Sequence, residues 1–273
     1  MKIKSKLKFA LLLMTILVFI VSCKKDPITE VPVPLEKGKL KIEFSHAMGN
    51  DSLILNSNQY INEAGNNLEI VDLMYFISDV TLFIHDNSPK LITDITACHY
   101  VDLSKPTTLI WNILDSIPKG NVDSVSFIFG LNEQRNHSFA FVNPPESNMA
   151  WPDILGGGYH YMMMNGTWTD AQQIQQPFNF HMGIGQLYSD TITYNTNSIT
   201  GYVQNYFKIT LPTPMLTISA NNTSILKIKM NILSWFTTPH IWDFNVMGGS
   251  VMQNQRALNI IKENGFDVFS VVQ

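Results

Sequence analysis

The chain has 273 residues, 45% hydrophobic and 15% charged, with a formal net charge of −4. So weak an acidic balance excludes the basic footprint of a nucleic-acid binder, and the presence of only two cysteines excludes a multi-disulfide scaffold. About 250 residues remain once the leader described next is set aside, enough for a sizeable core in a single β domain.

At the N-terminus, Lys2, Lys4, Lys6 and Lys8 precede an apolar run over 9–21. A membrane-spanning helix needs about 20 residues, so this run suits the hydrophobic region of a signal peptide instead. It ends Ile20-Val21-Ser22-Cys23, which resembles a bacterial lipobox. The other reading is an ordinary secretory signal with a chance cysteine. The expected organisation is a lipoprotein signal peptide over 1–22, a flexible tether over 23–38 and one β-sandwich domain over 39–273. Pro27, Pro32 and Pro34 stiffen the tether, which lifts the domain off a membrane anchored through lipid on Cys23. The setting implied is the bacterial cell envelope, on the periplasmic or surface face of the outer membrane. With Cys23 lipidated, Cys98 stands alone as a buried, inert thiol.

Along the mature chain, 39–46 alternates with Leu40, Ile42 and Phe44 on one face and Lys39, Lys41 and Glu43 on the other, a half-buried strand. His46 continues the apolar parity and points inward, either as a satisfied core residue or as a ligand. The run 68–85 is apolar on both faces, which predicts a buried strand bent near Ser78-Asp79. The spacing predicts a helical turn over 109–114 and an alternating strand through Val125, Phe127 and Phe129. A loop over 131–145 exposes His137.

The stretch 149–183 organises the rest, reading MAWPDILGGGYHYMMMNGTW and later FNFHMG. Period two from His160 places His160, Met162 and Met164 on one strand face, with Tyr159, Tyr161 and Met163 on the other. A second short strand over 178–182 carries His181. Gly156, Gly157 and Gly158 precede a strand rather than a helix, so they read as a tight turn or close approach, not a phosphate loop. Further strands are expected at 190–194, 206–211 and 224–236, with His240 in a following loop. One helix at 253–263 carries Ala257, Leu258 and Ile261 on its stripe and a cap at Gly265. Many short strands and one late helix argue for an all-β, antiparallel β-sandwich.

No GxSxG, P-loop, HExxH, CxxC or GxGxxG motif occurs, and no nucleophile–base pair is visible, so the reading is binding rather than catalysis. What remains is a metal-ligating inventory: His46, His160, His181 and His240, with Met162, Met164, Asp153 and Trp151 in support. Imidazole suits copper and zinc, and thioether sulfur leans to Cu(I). The same methionines and tryptophan also read as core packing. The alternative is a surface glycan- or protein-binding lipoprotein module that uses Trp151, Trp168, Tyr159 and Tyr161 as a stacking platform.

Five segments taken in order, LEIVDLMYFISDVTL, GLNEQRNHSF, NMAWPDILGGGYHYMMMNGTW, FNFHMG and ENGFDVFSV, resemble the MbnP-like family of copper-binding proteins, related to MopE. The resemblance implies a β-sandwich that holds copper (Cu+ or Cu2+, with zinc less favoured) through histidines for acquisition, storage or handover. It also implies partners at the membrane, a TonB-dependent outer-membrane transporter and a di-haem peroxidase-like protein. Under it His46 and His181 rank first as ligands, His160 next and His240 last. In relatives one ligand is a kynurenine made from a tryptophan two residues before a ligand histidine. Here Phe44, Gly158, Asn179 and Thr238 hold those positions, so that ligand is not carried over.

Overall fold

The computed structural model describes residues 35–57, 60–85, 88–92, 98–189, 195–213 and 215–272. The signal run, Cys23, the tether to residue 34 and the strand expected at 190–194 lie outside them. The folded unit runs from Glu36 to Gln273. No helix among the described residues is long and apolar enough to cross a membrane.

In chain order the strands are β1 (Lys37–Met48), β2 (Asp51–Ser52), β3 (Tyr60–Ile61), β4 (Asn67–Ile84), β5 (Lys90–Leu91), β6 (Cys98–Asp102), β7 (Ile110–Pro118) and β8 (Gly120–Phe129). They continue as β9 (Met162–Thr169), β10 (Gln175–Met182), β11 (Gly185–Tyr188), β12 (Ile199–Val203), β13 (Phe207–Pro212), β14 (Thr217–Ile218), β15 (Thr223–Asn231) and β16 (Phe269–Val272). One sheet runs β16-β15-β1-β2 with β7 also on β1, and the larger runs β10-β9-β4-β8-β13. Among these described strands the ladders are antiparallel except that β1 and β15 run parallel, with His46 beside Met230.

Alternation does the work that the sequence assigns to it. Leu40, Ile42 and Phe44 are buried while Lys37 and Lys39 are exposed. Rings from both sheets meet between them: Phe127 and Phe269 lie edge to face at 5.3 Å, and Phe44 and Tyr75 at 6.4 Å. Each fully buried aromatic or aliphatic side chain of this kind stabilises the fold by about 1.5–3 kcal/mol.

β4 is the spine. Its first half pairs with β9 and its second half with β8, and the ladder shifts register between Ser78 and Thr81. Asp79 takes a positive φ of 49° there, so the expected bend falls at the irregularity in the β4–β8 ladder. The helical turn expected at 109–114 is corrected. Pro106–Leu109 form the turn and Ile110 begins β7, whose Trp111, Ile113 and Ile117 face inward with period two. The late helix spans Gln255–Asn264, with Asn254 Oδ1 accepting from the Ala257 amide at its start. Gly265 follows it with an ordinary right-handed φ. It is needed because a Cβ there would stand 2.2 Å from the Phe207 ring.

Candidate metal centre

β9 and β10 form a hairpin in register, with Met162, Met164, Phe178, Phe180 and Met182 packed into the core. By period two, Met163, Asn165 and His181 therefore project from the opposite, outer face. His160 lies just before β9, next to an isolated bridge of Ala150 to Tyr159, and its amide donates to Met149 O. The break between that bridge and β9 separates His160 from the β9 frame, so Met162 and Met164 point away from it. Both, expected from the sequence in support of a metal, are fully buried in the core on the face opposite His181.

His160 and His181 meet, with ring centroids 5.1 Å apart and planes at 89°. Nδ1 of His160 lies 2.9 Å from the Met149 carbonyl oxygen. A carbonyl only accepts, so Nδ1 carries the proton and the lone pair sits on Nε2. Nε2 of His181 lies 2.7 Å from Asn165 Oδ1. The Asn165 amide cannot be turned over, because its Nδ2 donates to Asp72 Oδ1 at 2.7 Å. His181 is therefore protonated on Nε2, and its Nδ1 keeps the lone pair. Each imidazole has one nitrogen tied to a protein acceptor, the second-partner arrangement found for metal-bound histidines.

Desolvation by burial lowers the pKa of both rings from 6.5 to about 4, and the neighbouring His181 adds to the lowering at His160. Both stay neutral well into acid, so the lone pairs are not lost to protons at physiological pH. Trp151 packs edge to face on His160 at 4.7 Å, and its indole Nε1 donates to Leu155 O. Gly183 makes room for it, since a Cβ there would stand 2.5 Å from the Trp151 ring. No tryptophan precedes these histidines by two residues, but Trp151 reaches His160 through space.

The turn ahead of His160 is built by the glycines. Gly156, Gly157 and Gly158 all have positive φ, at 114°, 68° and 78°. A Cβ on Gly158 would stand 2.5 Å from Asn136 Oδ1, which instead accepts from the Tyr159 amide at 2.8 Å. Ser138 Oγ accepts from Gly158 N and donates to Asp153 Oδ1 at 2.7 Å. Asp153, expected in support of a metal, here holds the turn through Ser138.

The structure does not bring the other two histidines to this pair. His46 faces the space between the sheets, where its Nε2 lies 3.0 Å from the Tyr75 hydroxyl, while His181 projects from the far side of the larger sheet. His240 pairs with Glu263 beside the late helix. Among the described residues no cluster of three His, Cys, Asp or Glu forms. The stacking platform is also corrected: Trp151, Trp168, Tyr159 and Tyr161 are all buried and present no face to a glycan. Sequence reading missed Asn165 and Asp72. Their signal was parity, since Asn165 shares a strand face with Met163 once the frame is set by the buried residues.

The MbnP family model matches residues 37–253. Among solved structures, MbnP from Methylosinus trichosporium superposes with a TM-score of 0.55 at 12% identity, covering 87% of this chain and 99% of that one. At that identity the likeness speaks for the fold. No curated protein matches the chain. With most of the folded unit inside the family match, this chain belongs to the MbnP family.

Proposed function

We propose that this protein is a cell-envelope lipoprotein that binds a copper ion through His160 and His181 and stores it or hands it on, without turnover. The observation that carries the reading is the pair of imidazoles 5.1 Å apart, each with its second nitrogen tied to a carbonyl or amide oxygen. Two neutral nitrogen donors fit copper, with zinc the less favoured ion. Asp72 and Asn165 hold the His181 ring in the tautomer that exposes Nδ1, and Met149 does the same for Nε2 of His160. Anchoring through Cys23, an outer-membrane location, and a transporter and a di-haem peroxidase-like protein as partners belong to the same proposal. They follow from the lipobox-like leader and the family.

Titration of the purified mature protein with copper tests the site. The expected result is about one ion per chain, abolished in the His160→Ala, His181→Ala double variant and retained in His46→Ala and His240→Ala. Unchanged stoichiometry in the double variant overturns the assignment. Palmitate labelling of the full-length chain in cells, lost in Cys23→Ala, tests the anchor.

A further inference from the structure

The imidazole pair offers a metal two nitrogens, and among the described residues no third His, Cys, Asp or Glu stands with them. The outer face of the larger sheet supplies a donor of another kind. Met163 is registered opposite His181 across β9 and β10, and Met74 opposite Met163 across β4 and β9. Residues opposed on one sheet face have Cβ atoms roughly 5 Å apart. All three side chains are half-buried and alternate with fully buried core residues, so they project together as the row Met74, Met163, His181. The next row on that face is Asp72, Asn165, Asn179, whose first two members orient the His181 ring. β-Branched and polar side chains prevail on a partly wet sheet face, and here two methionines stand side by side.

We propose that Met163 is a thioether ligand of this site, with Met74 behind it, and that the site therefore takes copper as Cu(I) in preference to Cu(II) or Zn(II). The proposal rests on His160 and His181 being ligands. Two neutral imidazoles and a neutral, polarizable sulfur bring no negative charge, which matches a soft monovalent ion and leaves a divalent one uncompensated. The carboxylates on this face are already engaged, Asp72 by Asn165 and Glu69 by Thr167 and Gln175.

The test is Cu(I) and Zn(II) competition titration of the purified mature protein with chromogenic chelators, together with X-ray absorption at the copper edge. Wild type is expected to show a Cu–S scattering shell. Met163→Leu is expected to lose that shell and at least tenfold in Cu(I) affinity, with its Zn(II) affinity unmoved, while the core control Met164→Leu keeps both. Wild-type Cu(I) affinity and an unchanged shell in Met163→Leu overturn the thioether. If His181→Ala still loses copper in that case, the imidazole site stands and only this inference falls. If His181→Ala binds as wild type, the site reading falls with it.

Discussion

Arg135 Nε donates to Asp79 Oδ1 at 2.8 Å, joining the bend of β4 to a loop 56 positions further along the chain. The same carboxylate accepts from Asn132. The loop held in this way carries Asn136 and Ser138, which bond the Tyr159 and Gly158 amides and so set the turn that delivers His160. The bend of β4 and this loop therefore position His160 from a distance.

The latch predicts graded losses. Arg135→Ala removes a partly screened ion pair and is expected to cost about 1–2 kcal/mol. Gly158→Ala forces a side chain into a left-handed φ of 78° against Asn136, adding about 1–3 kcal/mol of strain. Urea unfolding monitored by tryptophan fluorescence measures both. A Gly158→Ala midpoint equal to wild type would show that the turn tolerates a Cβ.

Asn165 predicts a change in affinity without a change in fold. Its side chain is half-buried on the outer face, so Asn165→Leu is expected to leave the unfolding midpoint near wild type. With no acceptor at Nε2, the His181 ring loses its fixed tautomer, and copper affinity is expected to fall about 10–100-fold. Chelator competition reads the result, and an unaltered affinity would separate Asn165 from the site.

His46 predicts how stability depends on pH. Burial lowers its pKa from 6.5 to about 4. Because the folded value is the lower one, the unfolded chain binds the extra proton between the two. Its contribution is complete above pH 6.5 and is lost as pH falls toward 4, by up to about 3 kcal/mol for this group. His46→Gln keeps a hydrogen-bonding group for Tyr75 and removes the titration. The difference in unfolding free energy between pH 7.5 and 4.5 should shrink by about 2–3 kcal/mol in that variant. An equal difference in both proteins would place the acid sensitivity elsewhere.

The β architecture, the bend at Asp79, the late helix and the family were legible in the residues by themselves. Alternation and capping are local, and Leu40, Ile42 and Phe44 state their face without reference to anything distant. Which imidazoles share a site was decided only by tertiary structure. A one-residue break in a strand exchanges its two faces, and such a break lies between His160 and Met162, after the bridge at Tyr159 and before the β9 ladder begins. It sends Met162 and Met164 into the core and Met163 outward beside His181. His46 reads as an inward residue in either case, but the larger sheet stands between it and the outer face. Spacing along a chain cannot report on which side of a sheet a distant strand will lay its ring.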